Sequence, residues 1–140
     1  MYQELLLATD GSDGARQATD HAIELANRLD AALHVVSVSE EGPHAEKKRD
    51  QMRADLEDQA AEALERAETD AAGHGIEVAT TIRHGVPQDE IIDVAKEHGA
   101  DMIIMGTVGR TGLDHLIVGS VAEEVVRNAP VPVVTVREET

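Results

Sequence analysis

Cysteine, phenylalanine and tryptophan are all missing from this chain of 140 residues, and Tyr2 is its one tyrosine. Without cysteine there is no disulfide, no thiol nucleophile and no thiolate metal site. Without bulky aromatics the core has to be built from Val, Ile, Leu, Ala and Met, a set that suits buried parallel strands. Basic residues are also scarce. Twelve Lys and Arg face twenty-eight Asp and Glu, giving a formal net charge of −16, and the lysines are Lys47, Lys48 and Lys96 alone. So acidic a surface repels bare nucleic acid and anionic lipid, and neither is expected as a partner. No apolar run is long enough to span a bilayer, and Met1-Tyr2-Gln3-Glu4 lacks the basic start of a signal peptide. A cytoplasmic protein is expected. Acid excess, few lysines and small core residues together point to halophilic adaptation, because molar salt screens the self-repulsion. Unfolding in dilute buffer and recovery in high salt would follow, and full two-state stability at low ionic strength would count against it.

What the chain has is one core's worth of aliphatic residues, 41% apolar, so residues 1–140 are expected to form a single domain. Leu5-Leu6-Leu7-Ala8 is a short apolar run closed by the turn cluster Thr9-Asp10-Gly11-Ser12, which reads as a buried strand. Asp10 or Ser12 can cap the helix that follows, on which Ala15, Ala18, Ala22, Ala26 and Leu29 recur at helical spacing. Ala32 to Val38 is a second strand. A long charged helix runs to Ala72, with Met52, Leu56, Ala60, Ala63 or Leu64, Ala67 and Ala71 as its apolar stripe, and Gly73 and Gly75 close it. Ile76 to Arg83 alternates, as a strand nearer the edge of a sheet would. Gln88 to His98 is helical, with Ile91, Ile92, Val94 and Ala95 inward, and Gly99 ends it. Asp101 to Met105 is almost wholly apolar, hence an interior strand. Ser120 to Asn128 forms a helix with Val121, Ala122, Val125 and Val126, and Val131 to Val136 is the last strand. Strands alternating with helices, joined by right-handed crossovers, give a doubly wound five-stranded parallel sheet with helices on both faces.

Between the fourth strand and the last helix the sequence reads Gly106-Thr107-Val108-Gly109-Arg110-Thr111-Gly112, then Leu113 to Val118, then Gly119-Ser120. In an open α/β sheet, ligands sit beyond the carboxyl ends of the strands, and this segment begins at such an end. Glycines let the backbone approach a phosphate closely and turn N–H groups toward it. Gly119-Ser120 opens a helix, whose unpaired N–H groups and dipole favour an anion. No Gly-Lys-Ser/Thr follows, so this is not a Walker loop, and the first strand is not followed by a dinucleotide fingerprint.

The spacing Gly106-x2-Gly109-x9-Gly119-Ser120 resembles the nucleotide-binding signature of the universal stress protein family. The opening Leu5 to Ser12, Leu33-His34-Val35-Val36, Gly85-Val86-Pro87, Asp101 to Met105 and Ala129 to Val136 are similar to that family as well, so the likeness covers the whole chain. The resemblance implies a Rossmann-like sheet of order 3-2-1-4-5 that binds ATP, or ADP or AMP, in a dimer paired through Val131 to Val136. By resemblance, Asp10 and the main chain at Val35 face the adenine, and Ala8 and Gly106 lie near the ribose. Gly109, Gly119, Ser120 and Val121 contact phosphate, and Met105 lines the cleft. Two departures stand out: Ala8 replaces a frequent proline, and Val108 sits where a polar or basic residue is common. Valine offers no polar side-chain group to a phosphate, and Arg110 and Thr111 are candidates to supply one instead.

The seven histidines, His21, His34, His44, His74, His84, His98 and His115, show no local ligand pairing, so no protein-ligated metal is expected. Mg2+ or Mn2+ would arrive with the nucleotide phosphates, with Ser120 the best hydroxyl to assist. Ser12 has no evident His and Asp partners nearby in sequence, so no hydrolase triad is assigned. Three functions stay open: a nucleotide-dependent dimeric module in stress response, a slow ATPase or phosphotransferase, and an interaction dimer that has lost nucleotide binding. No general base or arginine finger is evident, which favours binding over turnover.

Overall fold

The computed structural model describes residues 2–10, 13–40, 50–107 and 119–137. Its elements alternate: β1 (Glu4–Ala8), α1 (Asp13–Leu29), β2 (Ala32–Glu40), α2 (Asp50–Ala72), β3 (Val78–Gly85), α3 (Pro87–Glu97), β4 (Met102–Gly106), α4 (Gly119–Asn128) and β5 (Val133–Val136). All neighbouring strands pair in parallel, in the order β3-β2-β1-β4-β5. This is the expected doubly wound, Rossmann-like sheet. β1 lies at its centre, and the winding reverses between β1 and β4.

Alternation along each strand sends successive side chains to opposite faces. Leu5, Leu7, Leu33, Val35 and Ile104 pack under α1 and α2, against Ala18, Ala22, Ala26, Leu64, Ala67 and Ala71. Leu6, Ala8, Val36, Val38, Ile103 and Met105 pack under α3 and α4, against Ile91, Val94, Ala95, Val121, Ala122 and Val125. With helices on both faces, the interior strands have no solvent side, which is why their sequences are unbroken aliphatic runs. Each fully buried Leu, Ile or Val contributes about 1.5–3 kcal/mol relative to exposure.

Several boundaries and faces differ from the expectation. Leu29, at the last position of α1, is 41% exposed, and Ile23 is the large side chain that α1 buries. Val126 is 54% exposed because its neighbour Val125 takes the inward position, and consecutive helical residues stand about 100° apart. Ile92 is only half-buried. Met52, Leu56 and Ala60 lie on α2, but their side chains are outside the described residues. β5 begins at Val133 rather than Val131: Pro132 has no N–H for a ladder, and its carbonyl accepts from Ile103 N instead (2.9 Å). Gly75 (φ 73°) and Gly99 (φ 63°) take the left-handed conformation that ends α2 and α3. Asp30 does the same between α1 and β2 (φ 54°), a role that a short polar side chain tolerates.

Candidate functional site

The five parallel strands end at one rim, and the crevice opens where β1 and β4 stop side by side, with Ala8 in register with Met105. Past these residues the two chains turn away from each other. Thr9 N donates to the Val36 carbonyl on β2 (3.0 Å), while Thr107 N donates to the Val136 carbonyl on β5 (2.9 Å). α1 packs on one face of the sheet and α4 on the other. Such a divergence of neighbouring strands is the switch point, where α/β sheets commonly take a ligand.

Of the residues expected at the site, most meet here. Ala8 and Met105 are buried at the floor, pointing to the α3–α4 face. Gly106 ends β4, in register with Val136. Asp10 stands half-buried at the mouth, just beyond the buried Thr9. Gly119 and Ser120 open α4, with Ser120 exposed and Val121 buried beneath. The first turn of α4 carries no acidic residue, whereas α3 begins with Asp89 and Glu90. In a chain of net charge −16, the first turn of α4 thus brings no acid of its own to its dipole, and a helix start favours an anion. Gly109 and Arg110, with Val108, Thr111 and His115, lie outside the described residues.

Val35, whose main chain is expected to face the adenine, lies within β2. It is paired with Leu7 on one side and Thr80 on the other, below the last β1–β2 pair, Ala8 with Val36. Its main chain is enclosed by the ladder on both sides. Three residues on, Val38 is still paired with Arg83 of β3, but β1 has already ended. The edge of β2 from Val38 onward therefore faces the crevice with no strand partner on that side among the described residues. Sequence alone offers three branched residues, Val35, Val36 and Val38, and only the pairing register tells which one reaches the rim.

Residues 1–137 match the model of the universal stress protein family. The chain belongs to that family. A universal stress protein of Methanocaldococcus jannaschii is 36% identical over 99% of this chain and 84% of its own length. The universal stress protein UspA from Lactobacillus plantarum has the same fold, with a TM-score of 0.82 at 27% identity, covering 97% of this chain and 98% of that one. Two further family structures carry adenine nucleotides. One is in complex with cAMP (TM-score 0.74, 26% identity, 99% of both chains). The other, from Archaeoglobus fulgidus, is in complex with dAMP (TM-score 0.72, 26% identity, 96% of this chain and 98% of that one).

For this universal stress protein, no helix among the described residues is long and apolar enough to cross a membrane. Among the same residues no three His, Cys, Asp or Glu side chains gather as a metal site. Among the described residues the crevice offers main chain, a helix start, a carboxylate and an aliphatic floor.

Proposed function

We propose that this chain binds ATP at the β1–β4 crevice and acts in stress response as a dimeric module whose contacts depend on the bound nucleotide. The observation that carries the reading is the divergence of the chains after Ala8 and Gly106, next to the acid-free start of α4. The cAMP and dAMP complexes of family members support an adenine nucleotide as the occupant. In this reading Asp10 and the β2 main chain from Val35 toward the rim hold the base, and Ala8 and Gly106 flank the ribose. Gly109, Arg110, Gly119, Ser120 and Val121 surround the phosphates, and Met105 forms the floor. Mg2+ or Mn2+ is carried by the phosphates, with the Ser120 hydroxyl beside it. No general base for water is assigned among the described residues, and turnover by the purified protein is expected to be slow or absent over hours.

β5 is the end strand of the sheet, with Val133 and Val134 half-buried and its outer side without a strand partner among the described residues. An apolar edge of this kind supports pairing with the same strand of a second copy. The deciding experiment is to purify the protein, denature it, and identify any released small molecule by mass spectrometry, alongside thermal melting with added MgATP. An adenine nucleotide in the supernatant, or a rise in melting temperature with MgATP, is the expected result. An empty protein whose melting ignores MgATP would leave the interaction dimer as the better reading.

A further inference from the structure

A second concave site lies away from the crevice, in the groove between α1 and α2. Its upper part is a cavity of about 370 Å³ reaching up to Thr9, with the buried Ala67 in its wall. Among the described residues four charged side chains line it: Arg16 and Asp20 from α1, and Arg66 and Asp70 from α2. The volume is within the range of small-molecule sites, about 300–1,000 Å³.

The charges are arranged with a direction. Both helices return against parallel strands, so they run the same way, and residues of increasing number line the groove together down its length. On each helix the arginine precedes the aspartate by four residues, a rise of about 6 Å. The two guanidinium groups thus share the upper level, toward the carboxyl rim, and the two carboxylates share the level one turn below. Four residues is also the spacing of a helical ion pair. Elsewhere that spacing closes: Glu24 with Arg28 at 2.9 Å and Glu123 with Arg127 at 2.8 Å. Among the described residues neither Arg16 nor Arg66 closes an ion pair, although Glu62 stands four residues before Arg66 in the favourable order. In a chain with nine arginines among its twelve basic residues, two line one cavity without an ion pair among the described residues, above two carboxylates that likewise make none there.

We infer that this groove binds a small zwitterion, with a carboxylate or phosphate held by Arg16 and Arg66 and an ammonium group held by Asp20 and Asp70. A guanidinium pair matches a planar or tetrahedral anion through several N–H donors. A ligand carrying one charge only would satisfy half the site and leave the other half repelling it. A zwitterion whose charges are about one helical turn apart satisfies both levels.

The test uses the purified full chain, thermal melting and calorimetry. The probes are γ-aminobutyrate, β-alanine and phosphoethanolamine, with butyrate and butylamine as single-charge controls. At least one zwitterion should raise the melting temperature while both controls leave it unchanged. The ranking of phosphoethanolamine against the amino acids then tells whether the anion is phosphate or carboxylate. Arg66→Gln and Asp70→Asn are exposed substitutions, and each should weaken binding by about tenfold or more, the value of one charge-assisted contact. Three results would overturn the proposal: no response to any zwitterion, an equal response to butyrate alone, or unchanged affinity in both variants. None of these bears on the nucleotide crevice, which is scored separately by the MgATP response of the same samples.

Discussion

At the amino-terminal rim of the sheet, the Asp101 carboxylate accepts from Gln3 N (2.9 Å) and Glu4 N (3.0 Å). Asp101 N donates to Glu4 O (2.7 Å), Ala32 N to Gln3 O (2.9 Å) and Leu33 N to Glu77 O (3.0 Å). The strands are laced together before they begin. At the carboxyl-terminal rim the main-chain bonds run outward, from Thr9 to β2 and from Thr107 to β5. The same parallel ladder therefore has one end tied by the Asp101 side chain and one end at which the proposed nucleotide would sit. Stability and binding should separate accordingly. A change at the first rim should cost stability and spare affinity, and a change at the second should do the reverse.

The largest effect is expected at Gly119→Val. A branched side chain at the start of α4 fills the space a phosphate would occupy. For the wild type, nucleotide at a hundred times its dissociation constant should add about 2.7 kcal/mol of stability by mass action. The variant should lose that increment, read as the missing melting shift with MgATP, while its nucleotide-free melting changes by less than the wild-type shift. Unaltered ATP affinity would remove α4 from the site.

Gly99→Ala is the matching test at the other end, where α3 returns to the amino-terminal rim. Gly99 has φ 63°, and a Cβ built there meets nothing within 4 Å, so the cost is conformational alone. It should be about 1 kcal/mol by urea denaturation, with MgATP affinity unchanged. A neutral substitution would mean that the residue does not hold the left-handed conformation.

How legible this division was in the sequence varies by element. Leu5 to Ala8 and Met102 to Met105 declare themselves as buried strands because both faces are covered, so every residue is aliphatic. Gly75 and Gly99 mark helix ends because few other residues take that conformation cheaply. The α4 start was legible too, as a glycine-serine pair after an interior strand. How far β2 runs past the end of β1 was not legible, because a run of branched residues carries no register until β1 is laid beside it. The groove charges were legible only as solvated helix surface, since the approach of Arg16 to Arg66 depends on tertiary packing across fifty residues of chain. The contact of His34 with His98 is hidden for the same reason.

Asp101→Ala should have a smaller effect, and its pH dependence identifies the cause. The main-chain N–H groups of Gln3 and Glu4 hold the Asp101 carboxyl below its ordinary value of 3.8. A carboxylate with a lowered folded pKa contributes stability above the unfolded value, and that contribution is lost as pH falls through the folded one. The variant should melt below the wild type at neutral pH, and the gap should close in acid. A gap that stays constant into strong acid would show that the N–H contacts are not the source of the carboxylate's contribution.

The smallest effect at neutral pH, and the most specific in acid, belongs to His34. Its Nε2 lies 2.7 Å from the Thr81 hydroxyl, and its ring is 4.2 Å from that of His98, the residue that caps α3. Burial, then His98, then Arg83 hold its pKa below 6.5. Arg83 is itself paired with Glu97 and faces Glu90 at 3.9 Å, so these two acids of α3 are engaged with the guanidinium. The unfolded chain then binds a proton more readily than the folded one. Stability from this group is fully present above about pH 6.5 and declines as pH falls toward the lowered folded value. Glutamine keeps a hydrogen-bonding partner for Thr81 and cannot be protonated. His34→Gln should therefore match the wild type closely at pH 8 and overtake it in relative stability at pH 5, measured as melting temperature across that range. Parallel curves would mean that His34 gains its proton without opposition, and that the contact with His98 is packing alone.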